Sequence, residues 1–263
     1  MRTEVNSATE VTDSGPKQNF PKTRKAAMFK GESDYQMSES FLVCAILATT
    51  GGFLDVYTYI TRSQVFANAQ TGNIVLLGLE LAEGHIENAL CYLAPILAFA
   101  AGILFTEIIR YLFKEFNLLH WRQIVVLLEA LLLLLPAAIP SGRWDILVSI
   151  LISFACAVQV ESFRKVHGHA VATTMCTGNL RSATEQLFRY LKTGDPSILS
   201  GIISYYTVIL FFIVGAAAGA GITFFLAEKA ILCCSGLLAA SFAIMFFNKS
   251  RTQEQSAGSP PDA

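Results

Sequence analysis

Apolar residues fill most of this chain in segments long enough to cross a lipid bilayer. A spanning helix needs about 20 mostly apolar residues, and six segments approach that length. Two further apolar runs, 74–81 and 180–191, are shorter, and each follows a polar break in the chain. The pattern therefore predicts an all-α membrane protein with six transmembrane helices and two half-length helices. The six predicted spans are residues 41–60, 89–109, 124–139, 146–160, 198–226 and 230–247.

The two polar breaks have related sequences. An acidic residue lies 16 positions before the threonine of each Thr-Gly-Asn triplet, Asp55 before Thr71 and Glu161 before Thr177. Two copies of one unit, each with an interrupted helix, are a sequence sign of a membrane protein built from repeats. The breaks read Asn68-Ala69-Gln70-Thr71-Gly72-Asn73 and Thr173-Thr174-Met175-Cys176-Thr177-Gly178-Asn179.

The distribution of basic residues predicts the orientation in the membrane. If the N-terminus is inside and only the six long segments cross, all but Arg62, Arg143 and Lys229 of the 19 lysines and arginines lie on the inside. Such a bias is typical of cytoplasmic segments, so both termini are predicted to be cytoplasmic. Because three spans per half is an odd number, the halves are predicted to form a 3+3 inverted repeat. The predicted parts are a disordered tail at 1–40, repeats at 41–140 and 144–248, and a disordered tail at 249–263.

Composition and motif content argue against several classes of function. The chain is 53% hydrophobic and 15% charged, whereas ordinary soluble domains carry about 25% charged residues. Its net charge of −1 and the lack of a basic stripe argue against nucleic acid as a partner. The six cysteines form no Cys-x-x-Cys pair and His167-x-His169 has no third ligand, so no disulfide framework, metal site or cofactor is predicted. Because no nucleotide-binding or hydrolase motif occurs, the protein is predicted not to be an enzyme.

The two breaks are the candidate solute site. A helix that begins inside the membrane presents free N–H groups and the positive end of its dipole, which suit an anion or a polar solute. Threonine and asparagine cap such helix ends, and glycine permits close backbone approach. The alternative is that the triplets only cap a re-entrant loop. The predicted solute-binding residues are Asn68, Gln70, Thr71, Gly72, Asn73, Thr177, Gly178 and Asn179.

Three acidic residues are candidates for coupling to a proton or cation. A carboxylate inside a span is costly and marks a functional site by default. Asp55 is predicted to be such a site or a clasp to the first break. Glu129 is predicted to transfer protons or to be a protonated acid bonded to a neighbouring helix, and Glu161 is a candidate because it matches Asp55 in position. Glu107, beside Arg110, is predicted to form an interfacial ion pair.

The residues around the first break resemble a family signature. Gly52-x-x-Asp55 and Val65-Phe66-Ala67-Asn68-x-Gln70-Thr71-Gly72-Asn73 are similar to the YoaK-like family of bacterial inner-membrane proteins. The second half fits through Gln159, Arg164 and Val171-Ala172-Thr173-Thr174-x-x-Thr177-Gly178-Asn179-Leu180. The resemblance covers residues 41–247. The family has no known function, so the resemblance implies a multi-pass inner-membrane location and a fold rather than an activity.

These features favour a secondary transporter or channel for a small solute, with anions among the candidates. A non-transporting scaffold, sensor or assembly factor is the alternative, and a membrane enzyme using Glu129 or His169 ranks last. The expected partners are the lipid bilayer and a solute of unknown identity. Small residues such as Gly215-x-x-x-Gly219 favour packing within the monomer, and a homo-oligomer is the alternative.

Overall fold

The structure is a computed structural model that describes residues 41–112, 121–166, 169–170 and 172–257. The predicted tail at 1–40, the end of the second tail at 258–263 and His167 lie outside the described residues. The described chain is helical apart from one antiparallel pair of two-residue strands, β1 (Lys165–Val166) and β2 (His169–Ala170). The helices are α1 (Phe41–Thr61), α2 (Gln70–Glu83), α3 (Ile86–Leu112), α4 (Trp121–Leu132), α5 (Asp145–Ser162), α6 (Cys176–Thr193), α7 (Leu199–Leu226) and α8 (Ile231–Ala257).

Four stretches are long and apolar enough to cross a membrane. They are Phe41–Thr61, Ile86–Leu112, Asp145–Ser162 and the continuous stretch Pro196–Phe246, which contains α7 and most of α8. The predicted all-helical membrane architecture is therefore confirmed, whereas the number of crossings and the internal repeat stay predictions.

The predicted third span differs from the structure. Sequence analysis expects it at 124–139, but α4 ends at Leu132 and the chain continues through a turn into a short 3-10 helix at Pro136–Ala138. The reason is local, because Pro136 has no N–H to donate to the carbonyl of Leu132, four residues earlier, and its ring clashes with that carbonyl in an α-helix. At the other end of the chain, α8 runs on to Ala257 and thus past the predicted span end at residue 247.

The two short helices begin within the polar breaks rather than after them. Helix α2 starts at Gln70 and α6 at Cys176, so both Thr-Gly-Asn triplets lie in a first helical turn. Each helix ends at a glycine with left-handed backbone geometry, Gly84 (φ 79°) and Gly194 (φ 64°). A left-handed residue is a common helix stop because it turns the chain while its N–H bonds the last carbonyls. Both short helices are thus separate units joined by tight turns to the long helices that follow.

Helix α1 lies at the centre of the bundle, with 14 of its 21 residues buried. It packs against α7 at a distance that only glycine permits. A Cβ on Gly52 would collide with the backbone oxygen of Phe212, and a Cβ on Gly215 with that of Thr49. Small residues at such helix crossings let backbones approach closely. This contact holds α1 rigidly in the position around which the two breaks are arranged.

Candidate functional site

The asparagine of each Thr-Gly-Asn triplet clasps the chain that leads into its own helix. In the first break, Asn73 Oδ1 accepts from the Phe66 N–H (2.9 Å) and Asn73 Nδ2 donates to the Phe66 carbonyl (2.8 Å). In the second, Asn179 Oδ1 accepts from the Ala172 N–H (3.4 Å) and Nδ2 donates to the Ala172 carbonyl (2.6 Å). Only an amide side chain offers one acceptor and donors in the arrangement of a peptide group. The triplets therefore build the same loop twice.

Both breaks meet at Gly51, halfway along α1. Asn68 Nδ2 donates to the Gly51 carbonyl at 3.3 Å. The methyl carbon Cγ2 of Thr174 lies so close to Gly51 that a Cβ there would collide with it. Because Gly51 is the middle residue of Phe41–Thr61, the two breaks reach the same depth in the bundle.

The two breaks arrive at that depth from opposite ends of the bundle. At one end, which we call the Arg62 end, Arg62 directly follows α1 and contacts Asp145 at the start of α5 (3.3 Å). At the other end, which we call the Arg110 end, Arg110 in the last turn of α3 contacts Glu161 at the end of α5 (3.1 Å). The first break follows α1 from the Arg62 end, and the second follows α5 from the Arg110 end.

Asp55 supplies the acceptor for the backbone of the first break. Its Oδ1 accepts from the N–H groups of Asn68 (2.6 Å) and Ala69 (3.2 Å), and its side chain is buried. The clasp predicted as one role of Asp55 is thus present. Its second oxygen, Oδ2, has no hydrogen-bond partner among the described residues. Asp55 therefore already accepts from two of the N–H groups that lead into α2, at the helix end that the sequence assigned to a solute.

More buried polar atoms without partners surround this point. The side-chain oxygen Oδ1 of Asn68, both side-chain polar atoms of Gln159, and the hydroxyls of Thr173 and Thr174 make no hydrogen bond within the described part of the chain. A buried donor or acceptor left unpaired costs about 1–3 kcal/mol, and such groups call for an explanation in water, an ion or a ligand. Their concentration at the meeting point of the breaks makes this the candidate site.

Helix α5 contributes to the site through Cys156 and Gln159. The Cys156 thiol lies beside the Asn68 side chain and within electrostatic range of the Asp55 and Glu129 carboxyls. Gln159, three residues further along α5, shares that face because residues i and i+3 are neighbours on a helix. From the second break, Cys176 also lies within electrostatic range of Asp55. Three helices and both breaks therefore border one polar region.

Most of the predicted solute-binding residues are not the residues that carry unpaired buried polar atoms. Asn68 alone among them has an unpaired buried atom here; Asn73 and Asn179 act as clasps, and Gln70 bonds the Ala67 carbonyl (2.9 Å) and Asn73 (2.9 Å). Gly72 lies against the Phe66 ring, where a Cβ would stand 2.8 Å from a ring carbon. The remaining three, Thr71, Thr177 and Gly178, are exposed. A role in binding stays a prediction for all eight.

Glu129 is buried in α4, and neither of its carboxyl oxygens has a partner among the described residues. The bond to a neighbouring helix that sequence analysis offered as an alternative is therefore not formed in this part of the chain. Cys156 on α5 and Cys234 on α8 lie within electrostatic range of its carboxyl. Glu129 thus borders the same region as Asp55 from a different helix, and its role in proton transfer stays a prediction.

Glu161 lies in an ion network at the Arg110 end of the bundle. Its Oε1 contacts Arg110 (3.1 Å) and Arg164, and Arg110 Nη2 donates to the Glu161 carbonyl (2.7 Å). Both arginines also contact Glu107, at 2.5 and 2.8 Å, which confirms the predicted Glu107–Arg110 pair. The matched sequence spacing of Asp55 and Glu161 therefore does not give them matched surroundings.

Sequence analysis missed the cluster around Arg62, which it counted only as an outside charge. The side chain is fully buried and donates to Asp145 (3.3 Å), to Tyr57 (3.2 Å) and to the carbonyls of Pro136 (3.0 Å) and Ile139 (2.8 Å). The available signal was that Arg62 and Asp145 are opposite charges next to the predicted ends of two spans. This cluster ties the end of α1 to the start of α5.

One group among the described residues has the spacing of a metal site. His85 Nδ1 lies 3.2 Å from Glu80 and 3.3 Å from Glu83, at the turn between α2 and α3. His85 and Glu83 are exposed. Exposed acidic groups of this kind are common without a metal, and nothing else at this turn indicates a ligand.

The geometry defines a class of protein: a multi-pass α-helical membrane protein with two interrupted segments that meet inside the bundle. Residues 43–244 match DUF1275, a protein family of unknown function, and the chain belongs to this family. It is 30% identical over 149 residues to the UPF0700 transmembrane protein YoaK of Bacillus subtilis (strain 168). That match covers 54% of this chain and 65%, just under two thirds, of YoaK. The resemblance to YoaK-like proteins is confirmed. No solved structure matches the chain.

Proposed function

We propose that this protein is a secondary transporter or channel for a small polar solute, which passes through the region where the two breaks meet. The observation that carries the proposal is the gathering of unpaired buried polar atoms at Gly51, halfway along α1, between two breaks that come from opposite ends of the bundle. Transporters bind their substrates near the bilayer midplane, at breaks in helices that belong to related repeats.

The packing of the helices supports an inverted repeat of 41–140 and 144–248. Helix α1 packs against α7, and α5 against α3; α2 packs against α3, and α6 against α7. Exchanging α1–α4 with α5–α8 converts the α1–α7 pair into the α5–α3 pair and the α2–α3 pair into the α6–α7 pair. The close glycine contact recurs as well, because a Cβ on Gly102 of α3 would stand 2.7 Å from the Phe154 carbonyl of α5. These correspondences are what a twofold repeat produces.

Contacts at both ends of the bundle support six crossings. Tyr57 near the end of α1 donates to the Glu228 carbonyl between α7 and α8 (3.1 Å), and Arg62 reaches Ile139 beyond α4. At the opposite end, Gln123 in α4 donates to the Met245 carbonyl in α8 (3.1 Å). The segment from Trp121 to residue 139 and the helices α7 and α8 would then each run from one end to the other.

We place the protein in the cell (inner) membrane with both termini in the cytoplasm, because the basic residues concentrate on one side in this arrangement. The Arg62 end then faces outward and the Arg110 end inward. We also propose that the protein is not an enzyme. The alternative function is a scaffold, sensor or assembly factor.

Flux measurements in proteoliposomes test the proposal. The full chain is reconstituted and screened with small cations, anions and neutral solutes, with and without a pH gradient. We expect flux that falls at least about tenfold in Thr174→Val, which removes one site hydroxyl and keeps the side-chain shape. Thr184→Val makes the same chemical change on the exposed face of α6 and should keep the flux. If folded protein moves nothing in the screen, the non-transporting alternative replaces this proposal.

A further inference from the structure

We infer that the meeting point of the two breaks is a binding site for one dehydrated monovalent metal cation, held by oxygen atoms of Asp55, Asn68 and Thr174. The inference rests on the proposed function, because the site lies on the proposed solute path, and it names the chemistry that this path accepts. From the sequence alone, Asp55 is a candidate for coupling to a proton or cation and the helix ends favour an anion; the other ligands and the single charge of the cation follow only from the packing.

The side chains converge from independent directions. Asn68 and Thr174 both contact Gly51, the first through a hydrogen bond to its carbonyl and the second through its methyl group. Asp55 lies four residues after Gly51, on the same face of α1, and binds the backbone of Asn68. The three side chains are at most 5% exposed. Each keeps one oxygen without a hydrogen-bond partner among the described residues: Asp55 Oδ2, Asn68 Oδ1 and Thr174 Oγ1.

The free atoms are of the type that hard cations bind. A carboxylate, an amide carbonyl and a hydroxyl are oxygen ligands, which suit alkali and alkaline-earth ions rather than soft metals. Thr173 Oγ1 and Gln159 Oε1 are two more buried oxygens without a partner in the described chain, available to complete the coordination. The N–H groups of Asn68 and Ala69, which lead into α2, already bond the Asp55 carboxylate, whose negative charge disfavours an anion at this point.

Charge balance selects a monovalent cation. Among the described residues, Asp55 is the carboxylate that bonds the backbone of the first break. Among the described residues, Arg62 is the one buried basic side chain. At the helical rise of about 1.5 Å per residue, Arg62 lies about 10 Å from Asp55 along the axis of α1. Its side chain is paired with Asp145. An anion would meet the Asp55 carboxylate with no basic group beside it, and a divalent ion would leave one positive charge uncompensated. One monovalent cation neutralises the site.

Glu129 leaves this balance unchanged as long as it is neutral. It is on α4 and interacts electrostatically with the Cys156 thiol, which also lies beside Asn68. A neutral, protonated Glu129 is compatible with a cation at Asp55, and an ionised one would add a second charge that needs its own counter-ion.

Thermal unfolding of the purified full chain in detergent tests the inference without measuring transport. The unfolding midpoint is compared in NaCl, in KCl and in N-methyl-D-glucamine chloride at equal ionic strength and pH. A ligand at 100 times its Kd is expected to raise the midpoint of a protein of this size by about 5–10 °C. We expect that rise with Na⁺ or K⁺, and not with the large organic cation, which cannot enter the site.

Variants assign the effect to the site. Asp55→Asn should remove the rise in the unfolding midpoint. Thr174→Val should raise by about tenfold the alkali-cation concentration that gives half of that rise. Because Thr174 Oγ1 has no protein partner within the described residues, this variant is expected to fold even if Asp55→Asn does not. Glu107→Gln, which removes a carboxylate at the Arg110 end, is the matched control and should keep the rise.

The outcomes separate this inference from the proposed function. No alkali-dependent rise, or a rise that persists in both site variants, overturns the cation site. A stability that responds to pH alone also overturns it, because Asp55 then carries a proton instead. Cation binding without any flux overturns the transport proposal and keeps the site, whereas flux that needs no alkali cation keeps transport and overturns the site.

Discussion

The two breaks share one loop design and differ in their electrostatics. In both, an asparagine clasps the backbone seven residues earlier, and the helix that follows ends at a left-handed glycine. In the first break the upstream acid, Asp55, bonds the N–H groups of that break. In the second the upstream acid, Glu161, bonds two arginines instead. A shared backbone motif therefore does not imply a shared chemical role for the acid.

The difference follows from the basic residues that each break has nearby. Glu161 has Arg164 three positions later and Arg110 on the adjoining helix. The nearest basic residue after Asp55 is Arg62, just beyond α1, and its guanidinium bonds Asp145 and two carbonyl groups. Asp55 is thus left to the backbone, and it keeps one oxygen free. The second break is anchored by exchangeable ion pairs near the surface, and the first by buried hydrogen bonds.

The largest expected difference in unfolding free energy is between variants of the two arginines that anchor the breaks. Arg62→Ala leaves two buried carbonyls without this donor and Asp145 without its buried charge partner, which is expected to cost about 3–5 kcal/mol. Arg164→Ala removes a half-exposed partner and is expected to cost about 1 kcal/mol or less. Equilibrium unfolding in mixed micelles with increasing SDS measures both. Equal losses would show that the two anchors do not differ as the burial of the arginines indicates.

The next effect compares the two acids. Asp55→Ala removes the acceptor for two N–H groups and is expected to cost about 2–4 kcal/mol of unfolding free energy. Glu161→Gln keeps a hydrogen-bonding oxygen and loses a partly screened charge, so about 1 kcal/mol or less is expected. The same unfolding assay at low and high salt separates them, because salt should reduce only the Glu161 effect. A salt-dependent Asp55 effect would contradict the buried clasp.

A smaller contrast is expected for the two clasps. Asn73→Ala and Asn179→Ala each remove two hydrogen bonds to the backbone of one residue, and each is expected to cost about 2–3 kcal/mol. Asn73 also bonds Gln70 (2.9 Å), so its loss should be slightly greater. Hydrogen exchange measures this locally: the Phe66 amide should lose protection in the first variant and the Ala172 amide in the second. Exchange that spreads to both breaks in either variant would show that the loops do not form independently.

The smallest expected effect concerns pH at the Arg62 end. Hydrogen bonds from the Ser141 backbone N–H (3.0 Å) and hydroxyl (2.8 Å) lower the pKa of Glu228 to about 2. Since the unfolded value is about 4.3, this contribution to stability is present above about pH 4.5 and is lost as the pH falls toward 2. Glu228 is partly exposed and its charge is screened by water, so we expect less than about 1 kcal/mol. Unfolding midpoints from pH 6 to 3 should fall less in Glu228→Gln than in the native chain; parallel curves would contradict the prediction.

Several helices were predictable because their determinants are local. The apolar segments at 41–60 and 146–160 predict α1 (Phe41–Thr61) and α5 (Asp145–Ser162) to within two residues, since length and hydrophobicity alone define such helices. The predicted short helices are present as well. Their starts were placed too late because the polar triplets were read as loop, whereas Asn73 and Asn179 bond back to earlier residues and leave the triplets free to be helical.

The candidate site was less predictable because its contacts are not local. The eight residues chosen by motif include clasps and surface residues, while Thr173, Thr174 and Gln159 were not selected, although all three stand among the residues that carry the family resemblance. Arg62 was missed because its main partner is 83 residues away. Such pairings depend on which helix faces pack together, and spacing along one segment does not contain that information.

By itself, the sequence determined that this chain is a helical membrane protein with two related breaks, because hydrophobic length and local capping residues act over a few turns. Tertiary structure alone decided which polar atoms are used and which stay free. The close glycine crossings of α1 with α7 and of α3 with α5 bring both breaks to one depth at Gly51. In that buried place each polar atom either finds a partner or is left to bind something else, and only the packing determines which.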